Sequence, residues 1–112
     1  MRVKQLAAER RAELEAELPR LVERLVALGA RKIVLFGSLA RGDIGVASDI
    51  DLLVVLDMPG RFMDRLTAVY DAMQQRVGVD ALVYTSAELE ELSQTRPFIQ
   101  QILREGRVLY EA

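Results

Sequence analysis

Residues 32–56 read KIVLFGSLARGDIGVASDIDLLVVL. Two apolar runs, Lys32–Phe36 and Asp49–Leu56, enclose a polar stretch rich in glycine. Each run is too short for an ordinary helix and rich in Val, Ile and Leu, so each is predicted as a buried strand. The first stops abruptly at Gly37-Ser38. Glycine permits a sharp turn there, and residues 38–41 are predicted as one helical turn closed by Gly42. Residues 42–48 read as a loop punctuated by Gly42 and Gly45. The second run is unusual in opening on two acids, Asp49 and Asp51.

Working outward, residues 3–29 carry Leu14, Leu18, Leu21, Val22, Leu25, Val26 and Leu28 at three- and four-residue spacing, one face of a helix. Pro19 removes a backbone donor, so a kink or a junction of two helices is expected there. Gly29 suits a C-cap. On the other side, Asp57-Met58-Pro59-Gly60 reads as a turn. Residues 61–76 form a helix with Phe62, Leu66, Val69, Tyr70 and Met73 on one face. A strand follows over 79–84. Thr85-x-x-Glu88 is a capping box opening a short helix, and another helix runs from Pro97 to about Glu105. Residues 107–110 close with a short strand. The fold class is α/β (α+β), a small mixed sheet flanked by helices. The leucine-rich face of 14–28 is assigned to the core. Residues 1–18 are sparser in apolar side chains and are expected to project as an N-terminal helix.

The chain has 112 residues, room for one core and hence for one domain over 1–112. With neither cysteine nor histidine, it has no disulfide, thiolate metal site, cysteine nucleophile or Ser-His triad. Catalysis must use carboxylates, hydroxyls, arginines and bound ions. The net charge of −2 argues against general polyanion binding and so against DNA as a partner. The charge is uneven, +4 over residues 1–41 and −6 over 42–112. No apolar run approaches a membrane span, and the N-terminus lacks the pattern of a signal peptide. A cytoplasmic location is expected.

Asp49 and Asp51 alternate with Ile50 along a strand, so both carboxylates share one face, roughly 6.5–7 Å apart. Two acids so close remain ionised at low cost only beside a cation. A hard divalent ion such as Mg²⁺ suits carboxylate oxygens and phosphates. The plainer alternative is a turn cap and a solvated acid. Gly37-Ser38 opens a helical turn whose free N–H groups and serine hydroxyl suit a phosphate; the plainer alternative makes Ser38 an N-cap. Asp80 sits between Val79 and Ala81 in the third strand. If that strand neighbours the second, Asp80 approaches Asp49 and Asp51, and three carboxylates could hold two metal ions. Otherwise it is an edge-strand acid facing water. Together these parts suit in-line phosphoryl or nucleotidyl transfer.

Gly37-Ser38, ten intervening residues and Asp49-Ile50-Asp51 resemble the signature of minimal nucleotidyltransferases, in the DNA polymerase β-like superfamily. The blocks Gly37–Asp43 and Ser48–Val54, the third acid at Val79-Asp80 and the tail Ile102–Ala112 extend the likeness from about residue 18 onward. The resemblance implies a nucleotidyltransferase fold, with Asp49, Asp51 and Asp80 as catalytic residues and ligands of a two-metal Mg²⁺ site. It implies Gly37 and Ser38 as phosphate-binding residues, with Arg41 neutralising phosphate charge. ATP is the substrate it suggests, giving AMP transfer. Many relatives carry Arg after Gly-Ser, where this chain has Leu39.

The resemblance also implies a partner, a HEPN-domain RNase toxin. The chain would then be a type VII-like antitoxin that adenylylates a toxin tyrosine. Two alternatives stand beside this reading. One is a non-catalytic antitoxin that neutralises the HEPN RNase by occlusion. The other is a small-molecule transferase of the aminoglycoside type. A second copy of the chain is a further candidate partner, as a homo-oligomer.

Overall fold

The first decisive strand forms where the sequence places it, and the second within a residue of its expected ends. β1 (Lys32–Phe36) and β2 (Ile50–Val55) pair antiparallel, with Leu35 opposite Leu52 and Phe36 opposite Asp51. The computed structural model describes residues 2–46 and 48–112. Ala47, within the loop expected over 42–48, and Met1 lie outside the described residues. The elements run α1 (Arg2–Leu28), β1, α2 (Gly37–Arg41), β2, α3 (Phe62–Met73), β3 (Val79–Tyr84), α4 (Ser86–Thr95), α5 (Pro97–Glu105) and β4 (Arg107–Glu111). The sheet order is β3-β2-β1-β4. Among the described residues β2 and β3 pair parallel and the other pairs antiparallel, so the sheet is mixed as expected.

Strand alternation separates two cores. Ile33, Leu35, Ile50, Leu52, Val54 and Val83 face α1 and α3, where Leu14, Leu18, Leu21, Leu25, Val69 and Met73 cover them. Val34, Leu53 and Val55 face α4 and α5, where Ile99 and Ile102 cover them. By the same alternation Asp51 and Asp80 belong to the α4–α5 side. The central strand β2 is buried on both faces, which explains why residues 52–56 read as a continuous apolar run.

Four expectations are corrected. Pro19 does not divide the helix: α1 is continuous over 27 residues. Tertiary packing overrides the proline, since Leu14, Leu18 and Leu21 on both sides of it are buried in one core. The helix expected over 61–76 is shorter, ending at Met73. Gln74 takes a left-handed cap conformation (φ 41°), and Arg20 of α1 donates to the carbonyls of Met73 and Gln74. Phe62 leaves the predicted apolar face and is 41% exposed, tilted against Tyr84, while Arg65 is buried instead. Arg65 reaches the Gly60 carbonyl through Nη1 and the Glu88 carboxylate through Nη2, an ion pair between α3 and α4. The second strand begins at Ile50, one residue after Asp49.

Candidate active site

Gly37 is where the site is built. β1 ends at Phe36, and Gly37 takes φ +75°, a conformation that favours glycine. α2 starts at Gly37 itself, so Ser38 is its second residue. Phe36 holds the N-cap position and supplies no side-chain cap. Ser38 is therefore not the N-cap. Its carbonyl instead accepts from the N–H groups of Gly42 and Asp43, closing the turn as the glycine at 42 suggested. Leu39 points into the α1–α3 core and is 2% exposed. Arg41, on the last turn, is solvent-facing and pairs with Asp43 at 3.2 Å.

The Asp51 carboxylate lies against Gly37, in the space a side chain at 37 would take. Gly78 does the same for Asp49, whose carboxylate fills the place of a β-carbon there. Two glycines on different segments thus make room for two acids. Asp80 is in register with Asp51 across the parallel β2–β3 pair, so the two stand side by side on one face. Asp80 is exposed and β3 is an edge strand, so the neighbour and edge readings both hold.

The edge of β3 is closed at this point by a side chain. The Tyr70 hydroxyl donates to the Val79 carbonyl (3.0 Å) and accepts from the Ala81 N–H (2.9 Å). It brackets Asp80 and fixes its backbone while leaving its carboxylate on the opposite face.

Asp51 carries the electrostatic signature of the site. Partial burial pushes its pKa up, and the charges of Asp80 and Asp49 push it further; Arg41 opposes them. Carboxylates crowded enough to raise one another's pKa are a mark of a functional site. Among the described residues no three acids close into a ready-made metal cage. The donor chemistry nonetheless fits a hard divalent cation. Asp49, Asp51 and Asp80 offer only oxygen, and their mutual repulsion is what a cation would relieve.

Comparison with known proteins agrees with this arrangement. The family model "Polymerase beta, Nucleotidyltransferase" matches residues 28–112, from the end of α1 through β4. The chain belongs to the polymerase β nucleotidyltransferase family. A relative from Methanocaldococcus jannaschii, named a "putative protein adenylyltransferase", is 41% identical over 81 residues, 71% of this chain and 78% of its own length. A crystal structure titled as a "putative nucleotidyltransferase" from Sulfolobus solfataricus superimposes with a TM-score of 0.69. It covers 95% of this chain and 87% of its own at 23% identity, and so supports the nucleotidyltransferase fold.

Three residues of this nucleotidyltransferase site escape sequence reasoning. Gly78 precedes a strand and carries no sequence signal of its own. Tyr70 reads as a core aromatic. Arg10 of α1 is the third. Its Nε donates to the Ser48 carbonyl (3.0 Å) and its Nη2 to the Asp49 carboxylate (3.2 Å), across 39 residues of chain. The only hint of it is the basic bias of residues 1–41.

Proposed function

We propose that this nucleotidyltransferase moves AMP from ATP onto a hydroxyl of a protein, in a Mg²⁺-dependent reaction. The observation that carries the reading is the in-register pair Asp51–Asp80, with Asp49 two residues along, beside the glycine turn at 37. The name of the 41% identical relative supports a protein as acceptor. Asp49, Asp51 and Asp80 would hold the metal ions. When bound, these ions supply neutralisation of charge on the attacking and leaving oxygens.

The rest is work for the chain's own groups. The Gly37 and Ser38 N–H groups, with the Ser38 hydroxyl, are suited to hold the β- and γ-phosphates. Arg41 adds positive charge on the same side. Asp80 faces the opposite side of Asp51 from β1, which suits it to accept the proton of the acceptor hydroxyl. Transfer forms a bond from that oxygen to the α-phosphorus and breaks the α-phosphorus bond to pyrophosphate, which leaves from the glycine turn.

The likeness to minimal nucleotidyltransferases supports a HEPN-domain toxin as acceptor, with a tyrosine as the modified residue and antitoxin as the biological role. The deciding experiment is intact-mass spectrometry of a co-expressed HEPN protein after incubation with this chain, ATP and Mg²⁺. A gain of one AMP, absent with Asp51→Asn, supports transfer. A stable complex with no gain favours neutralisation by occlusion, and labelling that persists with Asp51→Asn overturns the metal assignment.

A further inference from the structure

Arg10 lies outside the region that the family model matches, yet it touches the acid that opens the Asp-x-Asp motif. Its guanidinium is held on three sides. Glu13, one turn along α1, pairs with one nitrogen, the Ser48 carbonyl takes Nε, and Asp49 takes Nη2. The Arg10 side chain is only 21% exposed, so it is seated and not swinging in solvent. Asp49 itself is 46% exposed, open on the side away from Gly78.

We infer that Arg10 is the resident counter-ion of Asp49 in the metal-free protein and competes with a divalent cation for that carboxylate. The inference rests on the metal reading above. A guanidinium and a divalent cation cannot both sit on Asp49 Oδ1 without strong repulsion. Arg10 therefore opposes a cation at this carboxylate, and a cation that takes Oδ1 requires Arg10 to release it. The first half of α1 thereby becomes part of the site, and the cost of releasing Arg10 sets a threshold for metal occupancy. Arg10 acts here as a positioning residue, through Asp49.

Mn²⁺ binding to the full chain, without nucleotide, tests this directly by the EPR signal of free Mn²⁺. Arg10→Ala is expected to bind Mn²⁺ roughly two- to five-fold tighter than wild type, the worth of one partly exposed ion pair. Arg10→Gln, which keeps length and helix propensity, gives the same direction if the alanine variant loses stability. Equal or weaker binding in both overturns the inference, because Arg10 would then only anchor the loop at Ser48. A second readout follows the Arg10 Nε–Hε NMR resonance of wild type during a Mg²⁺ titration. It should shift and saturate together with the metal; an unmoved resonance overturns the inference while leaving the metal site intact. If wild type binds no Mn²⁺ that Asp51→Asn abolishes, the metal reading falls and this inference with it.

Discussion

Asp51 and Asp57 stand near opposite ends of β2, and the molecule treats them in opposite ways. Asp57 is fully answered: its carboxylate accepts from the Ser86 N–H (2.7 Å) and from the Ser86 hydroxyl (2.6 Å). Those bonds hold its pKa below the ordinary carboxylate range. Nearby, Glu88 accepts from Thr85 N–H and from buried Arg65, and its pKa is lowered by the same kind of contact. Asp51 has no such answer. Burial and two neighbouring acids raise its pKa. One end of the strand is stapled by its own polar groups and the other is left electrostatically unfinished. The unfinished end is where the proposed cation and anionic substrate would have something to add.

The sharpest way to break that contrast is Asp51→Asn. Transfer activity should fall on the order of 10²–10³-fold or more, as for loss of a principal electrostatic group, while the melting temperature holds or rises. A parallel loss of fold would instead place Asp51 among the stapling residues. Next comes Gly37→Ala. A β-carbon there meets the Asp51 carboxylate at a φ of +75°. Calorimetry or denaturant unfolding should show about 1–3 kcal/mol of destabilisation, together with lost activity. Tyr70→Phe leaves the Val79 carbonyl and the Ala81 N–H without their shared partner, at about 1–2 kcal/mol. A fall in kcat with KM held would show that Asp80 depends on this bracket.

At the finished end, Asp57→Asn should lower stability by about 1 kcal/mol, the scale of a lost helix-start hydrogen bond, and leave transfer activity untouched. The pH profile separates the two ends by sign. Asp57 has a depressed folded pKa. Its stabilisation is present above the ordinary carboxylate range and is lost as pH falls through the depressed value. Asp51 has a raised folded pKa, so its ionisation costs stability as pH rises. Asp51→Asn should therefore gain melting temperature at neutral pH, and the gain should fade as pH falls through the raised value. Thermal melts of both variants from pH 3 to 8 check this.

The sequence discloses much of this arrangement because its signals are local. β1 and β3 occupy the residues their β-rich runs predict, and Thr85 with Glu88 forms the expected capping box. The acids Asp49, Asp51 and Asp80 were legible because carboxylates opening or interrupting an apolar run are conspicuous. What stayed hidden depends on distant chain. Pro19 is tolerated because leucines on both of its sides share a core. Phe62 lies 41% exposed against Tyr84, while Arg65, three residues on, is buried with Gly60 and Glu88 as partners. Arg10 meets Asp49 only because α1 lies across the loop before β2, a proximity that no spacing rule encodes.

The parallel register that sets Asp51 beside Asp80 has a consequence for how the protein comes into being. Those two residues meet only after the chain has travelled through α3 and returned, a closure of long sequence separation and so a slow kind of contact to form. The antiparallel pairing of β1 with β2 needs no such return. During synthesis the glycine turn and the Asp-x-Asp segment emerge first, and the third acid follows later with its own strand. The part of the repulsion that Asp80 adds to Asp51 is imposed only when β3 docks beside β2. A nascent chain therefore carries two of the three proposed site acids before it carries the third.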